Sequence, residues 1–335
     1  MKRSIKFLAV AISLLALVSC GSKGKKALLP NISGKAGEII VVIDKAEWEG
    51  ALGTAIRDTL ACDCPFLPQR EPMYSLVDVA PGGFGSMFQI HRNIIIVNIS
   101  SKVTQPGVLY QADVWSAPQC VIRINANDSE TAVQLFKENS RKITATFEQA
   151  ERDRIIMNAK KYEERSLAPV VREMVGGSPH FPSGYRLKKK TDNFIWISYD
   201  TQVSQGILIY KYPVEKGKEM LSLDNILDVN AAMLKENVPG MFDNTYMITS
   251  NIARPSIEYI KYKGRDFASI RGYWEVYNDY MGGPFVAHAF YNRNGSEVIV
   301  MEAFVYAPKY DKRHYLRQVE SVLYSFEWDN KDIER

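Results

Sequence analysis

Histidine is scarce in this chain. Among 335 residues there are four, His91, His180, His288 and His314, and no two stand at a metal-ligand spacing such as His-x-x-x-His. No metal and no cofactor is expected from that pattern. A Gly-x-Ser-x-Gly elbow is missing too. The one glycine-rich stretch after a strand, PGGFGS (81–86), lacks the third glycine of the dinucleotide fingerprint and any Gly-Lys-Ser/Thr, and reads as a tight turn. Carboxylates are many but scattered, so the sequence brings no pair together for acid–base work. Beyond the first twenty residues no apolar run is long enough to span a bilayer, which takes about 20 residues. Charge is close to balanced, with 42 Lys+Arg against 38 Asp+Glu. That balance gives no reason to expect a nucleic-acid partner.

What is present begins with an address. Lys2, Arg3 and Lys6 precede the apolar run Phe7 to Val18, and Leu17-Val18-Ser19-Cys20 is followed by Gly21. A positive start, a short apolar stretch and small residues describe a secretory signal. The ending resembles the bacterial lipobox, which implies cleavage before Cys20 and a lipid on its sulfur. Acyl chains hold a protein on a membrane because each buried methylene adds about 0.8 kcal/mol. Removing residues 1–19 takes away three positive charges, so the net charge falls from +4 to 4 − 3 = +1. The expected location is the periplasmic face of the outer membrane. No acidic residues follow the cysteine in Gly21-Ser22-Lys23-Gly24.

Along the chain two rhythms alternate. EIIVVI (38–43) and IIIVNI (94–99) read as buried strands, with further strands at 74–79, 108–115 and 119–125. Asp44 and Glu47 suggest a capped helix start before Trp48, Leu52, Ile56 and Leu60. After the polar cap Asn127-Asp128-Ser129, a long charged helix runs to about Ser166, with Glu138–Lys142 and Glu148–Arg152 on a solvated face. Pro169 ends or kinks it. The second half reads as a hairpin at 185–199, a strand at 206–212, a helix at 224–237, strands near 256–262, 267–277, 285–292 and 297–306, and a last helix from Lys312. The expected fold is α/β to α+β, two sheet-plus-helix domains. The first is a mixed sheet with a long helix, and the second is an antiparallel sheet flanked by helices. The expected organisation is a signal at 1–19, a lipidated tether at 20–33, domains at 34–175 and 185–330, and a linker at 176–184, where Gly, Ser and Pro cluster.

Three groups of residues invite a functional reading. Arg271, Tyr273, Glu275 and Tyr277 alternate onto one face of a strand. They read either as a binding face for a protein, peptide or glycan, or as a sheet face under a helix or the other domain. His91 beside Arg92 is a weak polar cluster at a strand edge. Cys62 and Cys64 flank Asp63. In an oxidising compartment one of them is expected to pair with Cys120.

Four stretches together resemble an uncharacterised family of Bacteroidota lipoproteins, domain of unknown function 4837: GKAGEIIVVIDKAEWEG (34–50), LPQREPMY (67–74), HRNIII (91–96) and RGYWEVYNDYMGGPF (271–285). The resemblance implies an envelope location and no mechanism. The second half also loosely resembles the sheet-and-helix sandwich of PsbP-like proteins, which bears on fold alone. Three functions follow in order. The first is a lipid-anchored, non-catalytic binding or assembly module. The second is an envelope hydrolase with a site assembled from dispersed residues. The third is a thiol redox protein, disfavoured because Cys-x-Cys lacks the usual two-residue spacing.

Overall fold

The computed structural model describes residues 28–329. The signal segment and Cys20 lie outside the described residues. Among the described residues no helix is long and apolar enough to cross a membrane.

The N-terminal sheet has the order β2-β1-β3-β5-β4, formed by Glu38–Val42 (β1), Ser75–Val79 (β2), Asn93–Ile99 (β3), Gly107–Ala112 (β4) and Cys120–Ala126 (β5). The first three and β5 run parallel, and β4 closes one edge antiparallel to β5. The continuous apolar runs of β1 and β3 follow from burial on both faces. Helix α2 (Ala51–Leu60) and the long helix α4 (Ser129–Lys161) cover one face through Leu52, Ile56, Phe136, Ile143 and Phe147. The other face carries Ile40, Val42 and Ile94 under Phe84, Phe88 and Trp115, from the short helix α3 (Ser86–Gln89) and its neighbouring loops. Asp44 stands at the cap position of helix α1 (Lys45–Glu49), but its side chain makes no capping bond. The Asp128 cap of α4 is formed, accepting from the Thr131 N–H at 2.7 Å.

The C-terminal sheet is antiparallel and eight-stranded. It is built from Arg186–Lys190 (β7), Phe194–Asp200 (β8), Ser204–Pro213 (β9), Met247–Thr249 (β10), Ser256–Tyr262 (β11), Arg265–Val276 (β12), Gly282–Tyr291 (β13) and Glu297–Tyr306 (β14). Helix α6 (Leu223–Asn237) covers one face, with Ile226 and Leu234 against Leu208, Trp274 and Val300. Helices α5 (Leu167–Val175) and α7 (Arg313–Tyr324) cover the other.

The expected linker is instead part of this core. Gly177–Ser178 (β6) pairs with Glu327–Trp328 (β15), and Phe181 and Tyr185 are buried. Gly and Pro there permit sharp turns in a packed segment: Gly176, at φ +72°, ends α5 in the left-handed conformation. Pro169 does not kink a continuous helix. The long helix ends at Lys161, and Pro169 sits in the first turn of α5, where its missing N–H has no bond to lose.

Helix α4 ties the halves together. Its 33 residues extend about 50 Å at 1.5 Å per residue. Phe136 and Phe147 enter the N-terminal core, while Ile156 enters the C-terminal one. Where α4 meets α7 its charged face is not solvated. Glu148 accepts from the Tyr74 hydroxyl and from Arg317, each at 3.0 Å, and the Arg152 guanidinium lies 3.7 Å from the Tyr324 ring centroid. Burial alone would push the Glu148 carboxyl up, but Arg317, Tyr74 and Arg152 together bring it below its ordinary value.

Candidate functional site: an interdomain groove along the last helix

The stretch from Cys62 to Met73 leaves the N-terminal domain and lies on the C-terminal one. Leu67 enters the C-terminal core. Its carbonyl accepts from the Tyr273 hydroxyl at 3.1 Å, and Phe66 packs edge-on against the Tyr273 ring. Glu71, 5% exposed, accepts from the backbone N–H groups of Lys312 (2.7 Å) and Arg313 (2.9 Å). The first turn of α7 is therefore capped by a carboxylate from the other domain, where orphan N–H groups and the positive end of the helix dipole favour negative charge. Arg313 donates to the Pro72 carbonyl, and Arg317 to that of Met73 at 3.2 Å. LPQREPMY is thus an interdomain clasp.

This arrangement decides between the two readings of the aromatic strand face. Arg271 is paired with Glu320 of α7, and Tyr273 is held by Leu67. The Glu320 carboxylate, outweighing burial, holds the Arg271 guanidinium well above its ordinary value. Glu275 accepts from Ser250 at 2.8 Å, and Tyr277, 45% exposed, stacks on Tyr246. Arg271 and Tyr273 therefore build the interface and are not offered to a ligand. Alternation along β12 separates its two faces correctly, but both faces are covered.

Cys62, Cys64 and Cys120 are free thiols. Cys64 packs against the C-terminal core and Cys120 lies in the N-terminal one, so the expected staple is not formed. Burial pushes both thiols up to about 11. Cys62 is exposed.

His91 and Arg92 belong to a buried ion cluster at the amino ends of β1, β3 and β5. His91 Nε2 lies 2.8 Å from Glu38 Oε1, and Nδ1 lies 3.1 Å from the Asn93 carbonyl oxygen. Gly34, at φ +87°, passes so close to the His91 ring that a Cβ there would overlap it. Behind them Glu151, fully buried, accepts from Asn93 Nδ2 at 2.7 Å and from Arg154 at 3.1 Å. Arg92 Nε lies 3.0 Å from the same oxygen. Arg154 also donates to the carbonyls of Pro118 and Arg92. Among the described residues no group of three His, Cys, Asp or Glu side chains gathers as metal ligands would.

Two cavities flank this cluster and share Ala36. The upper, about 660 Å³, lies among Lys35, Glu38, Arg70, Tyr310, Arg313 and His314. Burial, then Arg313 and Arg317, press the His314 imidazole below its ordinary range, so it is neutral near pH 7. The lower, about 390 Å³, lies among Arg92, Asn158, Ser183, Tyr185, Tyr199 and Gln318. One wall of both is a single face of α7, since His314, Gln318 and Val322 stand four residues apart. The facing wall is Lys35 to Glu38 with Arg154, Ile155 and Asn158 near the C-terminal end of α4. The result is one interdomain groove, a common setting for ligand sites. Sequence reasoning found His91 and Arg92 but missed the rest. The signal for α7 was there, because the face opposite Leu316, Val319 and Leu323 carries His314 and Gln318.

Residues 164–325 match the family described as Domain of unknown function (DUF4837), and residues 32–160 match Domain of unknown function (DUF8532). Of the stretches that suggested the first family, 271–285 falls within its match, while 34–50, 67–74 and 91–96 fall within the second. No curated protein matches. A crystal structure of a protein from Bacteroides thetaiotaomicron VPI-5482 is similar at 14% identity with a TM-score of 0.26. That match covers 47% of this chain and 46% of the other.

Proposed function

We propose that this chain, whose halves carry domains of two unknown-function families, is a non-catalytic binding module of the cell envelope. It is held on a membrane through Cys20, and its interdomain groove along α7 receives the ligand. The envelope part of this reading rests on the lipobox-like sequence at residues 17–21. The binding part rests on one observation above all: the α7 face of His314, Gln318 and Val322 lines two adjoining cavities against a rigid ion cluster. Of the titratable groups beside the groove, His91 and Glu71 are engaged in structure. Both His91 nitrogens face protein acceptors, and both Glu71 oxygens cap α7. A groove built against an ion cluster that is already paired is preorganised for recognition.

The test is photo-crosslinking in intact cells from a benzophenone side chain at position 318, with the same group at exposed Leu187 on β7 as the control. Adducts formed from position 318 and not from 187 support the reading. Adducts from 187 alone, or from neither, overturn it.

A further inference from the structure

We propose that the lower cavity takes an acidic sugar chain, with Arg92 on the anionic group and the Tyr199 ring on a sugar face. This rests on the groove being the binding site and names what it binds.

The charge comes first. The ionic groups lining the lower cavity are Arg92 and Arg154, and no carboxylate lines it. Arg154 is fully committed, donating to Asn93, Glu151, Pro118 and the Arg92 carbonyl. Arg92 is not. Its Nε faces Glu151, while its terminal nitrogens have no hydrogen-bond partner among the described residues. The side chain is only 15% exposed. A fixed, largely desolvated guanidinium with free terminal donors suits a carboxylate or sulfate oxygen pair.

The second element is aromatic. Tyr199 is 37% exposed and stacks on buried Tyr185 with ring centroids 5.7 Å apart. Gly184, at φ +99°, leaves room for that ring, since a Cβ would meet its Cε2 at 2.7 Å. A rigid ring backed by a second ring offers an apolar platform with a polar tip. Around it the Ser183 hydroxyl, the Asn158 amide and the Tyr199 hydroxyl also have no partner among the described residues. Hydroxyl and amide groups beside an aromatic platform complement the alternating hydroxyls and C–H faces of a sugar. A peptide would instead look for a free strand edge or apolar side-chain pockets. The walls here are helices α4 and α7, and the aliphatic side chains beyond Ala36 and Pro182 are Ile155 and Val322.

The test is calorimetric titration of the folded chain (residues 28–335) with a panel of oligosaccharides bearing uronate, sialate or sulfate groups. Their neutral counterparts, hexaglutamate, and inorganic sulfate and phosphate form the other arms. Binding of an acidic member is expected, at least tenfold weaker for its neutral counterpart and at least tenfold weaker in Tyr199→Ala. Arg92→Gln should weaken acidic binding tenfold or more and leave the neutral counterpart unchanged. Because Arg92 also faces Glu151, its folding is checked by melting, and Asn158→Ala on the exposed side of α4 serves as a second, less intrusive probe. Equal binding of neutral and acidic sugars overturns the role of Arg92. Displacement by inorganic sulfate or phosphate alone, or preference for hexaglutamate, overturns the sugar class. Failure of every panel member while the position-318 adduct persists overturns this proposal and leaves the groove intact. Acidic binding unmoved by Tyr199→Ala puts the site elsewhere and overturns both.

Discussion

Replacing Glu71 with alanine removes the carboxylate that caps α7 from the other domain. Two N–H groups, of buried Lys312 and half-buried Arg313, lose their acceptor. Removing an N-cap side chain costs about 0.5–2 kcal/mol, and hydrogen bonds to a charged group contribute roughly 1.5–3 kcal/mol each. Water reaches part of the vacated site through the upper cavity, which Glu71 lines. A net loss of about 2–4 kcal/mol follows. At an unfolding entropy of about 2.1 cal/mol/K per residue over some 300 residues, that is a fall in melting temperature of about 3–6 °C. Differential scanning calorimetry measures it. Because Glu71 belongs to the N-terminal domain and α7 to the C-terminal one, the single transition should also broaden or split as the domains uncouple. Glu71→Gln keeps one acceptor and should fall between wild type and alanine. A melting temperature within 1 °C of wild type for Glu71→Ala, with an unsplit transition, would refute the clasp.

Three further outcomes follow from the same geometry. Glu151→Ala leaves Arg92 and Arg154 facing each other without their shared carboxylate, and should destabilise by about 3–5 kcal/mol in urea unfolding. Burial drives the Glu302 carboxyl from 4.5 up to about 7, against the amide bond from Asn230. Between those values the folded chain keeps a proton that the unfolded chain has lost, so this group lowers stability as pH rises from about 4.5 to 7. The total is about 3 kcal/mol, and Glu302→Gln should abolish it; an unchanged pH profile in the variant excludes the effect. Thiol labelling of residues 28–335 should modify Cys62 alone in the native protein, and Cys62, Cys64 and Cys120 all together in denaturant without reductant; a protected pair in denaturant means a disulfide.

Much of the fold is legible in the sequence because it rests on local patterns. The apolar runs of β1 and β3 and the Asp128 cap each carry their own signal, and the two-domain, sheet-plus-helix architecture follows from the order of the elements. The rest depends on which surfaces meet. Gly176 to Gly184 has the composition of a linker, yet its pairing with Glu327–Trp328 and the buried Phe181 make it core. Arg271 and Tyr273 have the pattern of an open face, yet the clasp at residues 64–73 covers them. Cys64 and Cys120 are compatible with a bridge in sequence, yet they lie in different cores. The groove draws on six separated segments: Lys35–Glu38, Arg70–Ser75, Arg92, the C-terminal end of α4, the Pro182–Gln205 region and α7 with the residues just before it. No local pattern reports that these converge.

The central claim is that ligand binds between the domains along α7. Hydrogen–deuterium exchange of residues 28–335, with and without the tightest-binding acidic oligosaccharide, tests it most directly. Slowed exchange confined to the groove, at residues 153–160, 182–185 and 314–322, is expected. Protection instead at the exposed residues Met241, Phe242 and Tyr280, which line neither cavity, would contradict it.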